Sequence, residues 1–549
     1  MADRQITEDD IASAEKLLGI AYTARERAQM ATNLDGQIDS AVSRRALEMP
    51  NTVPMATRFD PRLPGFEMPT ASGVTASSPD TPLPDTDADI AFATLPDLGT
   101  WIRSGALTSR RLTEIYLARI EALNPLLKCY ATVTPDLALA EADAMDALTA
   151  QGENLGPLHG IPYGLKDLFD TAGITTGWGA EPYRDRTPET DATIVTKLRA
   201  AGAVLLGKTT LGALAYNDIW YGGRTNNPWN TDEGASGSSA GSGSATAAGL
   251  CGFSIGTETL GSITSPSQRN GTTGLRPTFG RVSRAGAMAL CWSLDKIGPM
   301  CRGVEDCALV LDAINGADIA DRCTIAAPFT FDADRPLDGL TLGYLPEAFG
   351  EGATEVDHAA LEAAKRLGLE VVETSLPDLP YGALMNGLYA EAAAAFEHLT
   401  LNDLDDTLTW QDDGAWPNTF RKARFLSAVD HVQLDRLRYL VMQALDGMFA
   451  EVDALIGPFM TGPMLVASNF TGHPCLHLRA GFLDLATRSA ASLGAGKLTT
   501  GEAGSGQTHR VPQGISLWGR LFDEGTILTI GKALEAELGV ASQRPPLPA

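Results

Sequence analysis

Three side chains in this sequence could together run acyl transfer without a histidine. Lys166 stands in GPLHGIPYGLKDLFD (156–170), among Gly, Pro, Tyr, Leu and Phe, in a chain with only ten lysines. On residue type alone, a buried stem with a solvated head is the favoured role for it. A desolvated lysine is the alternative: its pKa falls from about 10.4 toward about 7–8, and the amine becomes a base. Ser238 and Ser262 lie 24 residues apart in two small-residue turns of GASGSSAGSGSATAAGLCGFSIGTETLGSITSPS (234–267). A flexible linker would also be rich in Gly and Ser. This tract, however, passes into an Ala-rich helix-like run, a strand, and a second turn at Thr259-Leu260-Gly261-Ser262. Small residues in such turns let backbone N–H groups approach a ligand and stabilise an oxyanion.

Two other pattern matches compete and lose on context. Gly202-Ala-Val-Leu-Leu-Gly207-Lys208-Thr209 satisfies GxxxxGK[ST], but its middle residues belong inside a strand, and a buried strand cannot wrap a phosphate. Gly237-Ser238-Ser239-Ala240-Gly241 satisfies GxSxG. A nucleophile elbow follows directly on an apolar strand, whereas the residues before this match, NNPWNTDEGAS, are polar and broken by Pro. A Ser-His-Asp triad also needs a suitable histidine. His473 and His477 lie near an apolar segment and His509 in a Gly-rich stretch, none with a distinctive acid partner.

The elements that must position these residues alternate. A helix is expected over 7–30, opened by Thr7 and Asp10 in a capping-box pattern, with Ile11, Leu17, Leu18 and Ala21 as its apolar stripe. Residues 50–84 carry eight of the 32 prolines and read as an extended linker. From about residue 89 the pattern is globular. Helices are expected from Thr108 through LTEIYLARIEAL, over ALAEADAMDAL, over TIVTKLRAAG and over GVEDCALVLDAI. Strands are expected at AVLLG, CGFSIGTET and DALIGP. Such alternation points to an α/β protein with a largely parallel or mixed sheet covered by helices on both faces. The division that follows is 1–49 as a helical arm, 50–88 as a Pro-rich linker, and 89–549 as the catalytic domain.

Composition bounds the function. The chain has 549 residues, 44% apolar and 20% charged, with Lys+Arg 42 against Asp+Glu 68 and a net charge of −26. That balance argues against nucleic acid or an anionic membrane as partner. No stretch of about 18 apolar residues suggests a membrane span, and the acidic N-terminus does not resemble a signal peptide. Seven scattered cysteines with no CxxC pair fit reduced thiols in a cytoplasmic protein better than a disulfide framework. Zinc-site spacing is absent.

GIPYGLKD, then GSSAGS, then GTETLGSIT together resemble the amidase signature family. TNNPWN, LRPTFGRVSRAGAMAL, NFTGHPCLHLRAGF and PQGISLWGRLFDEGTILTIGKALE extend the likeness over roughly residues 90–540. The resemblance implies a single large α/β/α domain with a mixed, mostly parallel-looking twisted sheet. It implies Lys166 as catalytic base, Ser238 as a bridging serine on a cis peptide, and Ser262 as nucleophile. The N–H groups of Thr259, Leu260, Gly261 and Ser262 become the candidate oxyanion donors. No metal and no organic cofactor is implied.

Departures from the family pattern fall around the site. Leu260 stands where the family usually has Gly, Thr264 where Arg is frequent, Ala240 for Gly, and Glu258 for Asp. They bear on substrate preference more than on chemistry, because a backbone N–H does not depend on its side chain. The leading function is a free-standing hydrolase of small-molecule amides, with esters and carbamates open to the same relay. The alternatives are the A subunit of a glutamyl-tRNA(Gln) amidotransferase, which shares this fold and passes ammonia to its partner chain, and a non-catalytic binding protein on the same scaffold. Pocket walls are expected from 380–440 and from loops near 500. The N-terminal helix would cover either this domain or the partner copy of a homodimer.

Overall fold

The computed structural model describes residues 5–488 and 508–547. At the N-terminus lie α1 (Glu8–Leu18), α2 (Ala24–Ala31) and α3 (Leu34–Arg45). The capping box of Thr7 and Asp10 opens α1, but the single helix expected over 7–30 is two helices. Gly19 ends α1 in a left-handed conformation, and Thr23 with Glu26 forms a second capping box that opens α2. The expected apolar stripe is not a core face either: Ile11 is buried, while Leu17 and Leu18 are exposed.

Residues 46–86 hold one short strand, Gly73–Thr75, which pairs in parallel with Thr330–Asp332. This segment lies against the body as a strap. Asn51 exchanges hydrogen bonds with the backbone of Ala289, each 2.8 Å. Phe59 packs edge-on against Phe279, and the Arg438 guanidinium sits over the Phe59 ring. Arg44 at the end of α3 forms a two-pronged pair with Glu397, at 2.6 and 2.7 Å.

The body is built on an eleven-stranded sheet. Its strands are β1 (Tyr130–Val133), β2 (Pro162–Lys166), β3 (Val204–Thr209), β4 (Phe253–Glu258), β5 (Thr273–Arg276), β6 (Lys296–Cys301), β7 (Thr341–Tyr344), β8 (Glu370–Glu373), β9 (Ala454–Pro458), β10 (Cys475–Ala486) and β11 (Thr508–Gly519). They lie in the order β8-β7-β9-β11-β10-β5-β6-β4-β2-β3-β1. Every residue of β2, β3, β4 and β6 is buried, so both faces of the sheet centre are covered. On β4, Ser254 and Gly256 face the helix α4 (Ala240–Ala247), where Ser254 bonds the Ser242 carbonyl at 3.0 Å and the Thr246 hydroxyl at 2.8 Å. A Cβ on Gly256 would come within 2.8 Å of the Ser239 hydroxyl, so only glycine allows that approach. Phe253, pointing the other way, stacks on Tyr163.

The sheet is mixed, as expected, but antiparallel pairing prevails among the described residues. Six of the ten strand pairs are antiparallel. Helical crossovers enforce parallel pairing, as between β2 and β3. No helix joins β5 to β6, and β10 pairs with β11 as two long antiparallel neighbours.

Candidate active site

The polar centre sits at the carboxyl ends of β2 and β4, which run parallel side by side. Lys166 is the last residue of β2 and is fully buried. Its Nζ lies 2.9 Å from the Ser238 hydroxyl, 2.9 Å from that of Ser239 and 2.7 Å from that of Thr257. Burial pushes the amine well below the ordinary lysine value, and the nearest carboxylates, Asp295 and Glu258, only partly oppose this. Ser239 is locked in turn. Its hydroxyl donates to the Thr257 carbonyl and accepts from the Thr257 N–H, both at 3.1 Å.

Ser238 follows a cis peptide from Gly237, and α4 begins two residues later. The second turn leaves β4 through Glu258, Thr259 and Leu260 to Gly261, whose φ of 81° an L side chain rarely adopts. The Ser239 N–H donates to the Ser262 carbonyl at 3.2 Å and so joins the two turns. The Ser262 hydroxyl has no hydrogen-bond partner among the described residues, and Ser262, 8% exposed, lines a cavity of about 600 Å³.

Glu258 shapes this turn. One carboxylate oxygen accepts the N–H groups of Ile263 and Thr264, each at 2.9 Å, at the start of α5 (Thr264–Asn270). The other accepts from Arg276 at 2.7 Å and from Asn469 at 3.0 Å. Burial would raise this carboxyl, but Arg276 and the two N–H donors outweigh it and hold it at about 2. With those bonds ending on Ile263 and Thr264, the N–H groups of Leu260, Gly261 and Ser262 have no acceptor among the described residues. Thr259 is pinned by its hydroxyl to Asp295 at 2.6 Å.

The structure brings Lys166 and Ser238 into contact and sets the Ser262 turn against them. Ser239, Thr257, Arg276 and Asn469 were not singled out from the sequence. Ser239 and Thr257 carry a local signal, being the neighbour of Ser238 and the residue before Glu258. Arg276 and Asn469 reach the site only through the fold. Lys208 is elsewhere: it is buried on β3 and bonded to the Phe169 carbonyl and the hydroxyls of Thr171 and Thr176. Its Walker-like run is strand, not loop. His473 and His477 bond Thr471 and Ser516, and burial lowers both to about 3, so they stay neutral. His509 lies on β11.

The cavity in front of Ser262 is walled by Met385, Leu388 and Tyr389 on α6 (Met385–Ala395) and by Trp416 on α7 (Trp416–Ala423), with Phe425 beyond it. Residues from the 380–440 region thus line it; the expected loops near 500 lie largely outside the described residues. Leu17 of α1 also lines it, which nothing in the local sequence signals. All seven cysteines are free. No helix among the described residues is long and apolar enough to cross a membrane, and no cluster of His, Cys, Asp and Glu among them could hold a metal.

Comparison with known proteins gives this geometry its relatives. The family model described as Amidase matches residues 111–528. The A subunit of the glutamyl-tRNA(Gln) amidotransferase of Pseudomonas savastanoi pv. phaseolicola is 34% identical over 468 residues, covering 80% of this chain and 95% of its own. Its counterpart of the same name from Geobacter metallireducens is 35% identical over 475 residues, covering 80% and 96%. Among solved structures, the peptide amidase of Stenotrophomonas maltophilia is similar at a TM-score of 0.69 and 30% identity, covering 83% of this chain and 98% of its own. A match across most of the chain, spanning the segments that build the two turns and the buried lysine, means that this chain belongs to the amidase signature family of enzymes acting on carbon–nitrogen bonds.

Proposed function

We propose that the chain hydrolyses small-molecule amides through an acyl-enzyme on Ser262, with Lys166 as the base and Ser238 as the relay. The observation that carries this reading is a fully buried amine held by three hydroxyls behind a serine that lines a cavity. Ser262 Oγ attacks the amide carbon while its proton passes to Ser238 Oγ, whose own proton passes to neutral Lys166 Nζ. A hydroxyl can serve in both directions because it donates and accepts. Ser239 and Thr257 hold Nζ in place. The oxyanion that forms is met by N–H groups of the Thr259–Ser262 turn; losing one such donor costs about 3–4 kcal/mol where it has been measured. The proton then returns through Ser238 to the leaving nitrogen, the C–N bond breaks, and the amine departs. Water, deprotonated by the same relay, attacks the acyl carbon and releases the acid. Esters and carbamates fit the same steps.

A second reading, the glutaminase component of a glutamyl-tRNA(Gln) amidotransferase, uses the same first half-reaction on glutamine. The names of the sequence relatives favour it more directly than they favour the first reading. The first rests on the wall of the cavity and on an N-terminal arm folded against the same body. Two measurements test the proposal. A fluorophosphonate probe should label Ser262, and Ser262→Ala should lose both labelling and turnover; an acyl adduct on the variant would reassign the nucleophile. A hydrolysis panel of aliphatic amides, anilides, carbamates, esters and glutamine then separates the two readings. Glutamine as the preferred substrate, with partner chains co-purifying, would establish the second.

A further inference from the structure

The cavity in front of Ser262 sets an apolar and aromatic wall among a few neutral polar groups. Leu260, Leu388, Trp416 and Phe425 give the apolar part, and Asn386, Tyr389 and Thr419 add uncharged polar atoms. Lys422 is the single charged side chain lining it among the described residues, and no carboxylate lines it there. A free amino acid amide such as glutamine brings an ammonium group, and a buried ammonium needs an anionic or carbonyl cage to replace its water. Lys422 can pair with the carboxylate of such an amino acid, but among the described residues no carboxylate lines the wall to meet its ammonium. At about 600 Å³ the space is in the range of sites that take a drug-sized apolar ligand, about 300–1,000 Å³.

One part of the wall comes from outside the body. Leu17 lines the same cavity from α1, 61% exposed, and Phe425 beside α7 is 57% exposed. Large apolar side chains left open at a cavity mouth bury themselves when an apolar group enters. The arm that carries Leu17 is held to the body downstream by the Arg44–Glu397 pair and by Asn51 on the Ala289 backbone. Leu17 is therefore delivered to the mouth by a tethered element.

We propose that this site takes amides whose carbonyl carries an extended apolar group and no ammonium, and that Leu17 of the N-terminal arm contacts the far end of that group. The inference rests on the Ser262 acyl-enzyme reading and sharpens it to a substrate class. The test compares 4-phenylbutanamide, acetamide and glutamine on the full chain. We expect kcat/KM for 4-phenylbutanamide to exceed that for glutamine by roughly 100-fold or more. In Leu17→Ala, whose exposed position leaves the fold intact, KM for 4-phenylbutanamide should rise about tenfold more than KM for acetamide. A Leu17→Asp variant, checked for an unchanged melting temperature, should widen that ratio. Glutamine turnover equal to or above that of 4-phenylbutanamide, with Ser262 labelled by the fluorophosphonate, overturns the substrate class while leaving the acyl-enzyme reading in place. Equal effects of Leu17→Ala on both amides overturn the role of the arm. No labelling of Ser262 and no amide turned over would overturn the reading itself, and the inference with it.

Discussion

Lys166 resolves a conflict between solvation and hydrogen bonding. A charged ammonium in that position would lose its water, and the groups nearest to it are neutral hydroxyls rather than a carboxylate. Burial is the larger effect and favours the neutral amine. Since the neutral form is the proposed base, kcat/KM should climb as pH rises through the lowered pKa and level off above it. Lys166→Ala should lower kcat by about 10²–10⁴-fold and remove that acid limb. A pH–rate profile that keeps the limb in the variant would assign it to another group. The same shift has a stability sign. The unfolded chain binds a proton that the folded chain does not, so this group makes stability rise with pH from its lowered pKa up to about 10.4.

At the scale of the element, the turn after β4 depends on a carboxylate at its base. Glu258 joins the N–H groups that open α5 to Arg276 on β5. Both members of the Glu258–Arg276 pair are fully buried. Removing one partner of such a pair leaves the other without compensation and typically costs about 3–5 kcal/mol. Glu258→Gln should therefore lower the unfolding free energy, read from denaturant titration, by an amount in that range and slow fluorophosphonate labelling of Ser262, because the turn loses its anchor. A variant with wild-type stability and labelling would show that the hydrogen-bond geometry alone suffices. The carboxyl sits at about 2 against an ordinary 4.5, a difference worth about 3 kcal/mol. This contribution is complete above the ordinary value and is lost as pH falls through about 2. An acid-unfolding curve whose lower transition vanishes in Glu258→Gln would be the signature.

The whole molecule is a sheet-based body with an N-terminal arm laid over one side of its cavity. The arm is tied at separated points rather than by a continuous core; α2 and α3 bury no residue completely. A partly exposed ion pair such as Arg44–Glu397 contributes up to about 1 kcal/mol, and the Asn51 hydrogen bonds about 1 kcal/mol each. Asn51→Ala combined with Arg44→Ala should thus increase hydrogen exchange across residues 8–60 by about tenfold or more while leaving β4 protected. Uniform loss of protection in arm and sheet together would show that the arm belongs to the cooperative core. Phenylalkyl amide turnover in this double variant should fall along with the order of the arm, if Leu17 is placed by these ties.

Much of the body was legible in the sequence, because local patterns there agree with the global fold. The strand at AVLLG, the strand at CGFSIGTET and the helix at GVEDCALVLDAI all form where periodicity put them. Ser238 and Ser262 stand out by residue type in small-residue turns, whereas residue type alone favours a solvated head for Lys166, and the three roles follow from the resemblance of GIPYGLKD, GSSAGS and GTETLGSIT to the family. What sequence could not determine depends on non-local approach. Whether Lys166 is solvated or dry is decided by Ser238, Ser239 and Thr257, which lie 72, 73 and 91 residues away. The antiparallel majority of the sheet follows from which strands meet without a helix between them. Leu17 becomes part of the cavity only because an arm of largely solvent-facing helices is carried back across more than two hundred residues of chain to the Ser262 turn. Hydrophobic period and turn chemistry are written residue by residue, whereas burial and proximity arise only once distant segments pack.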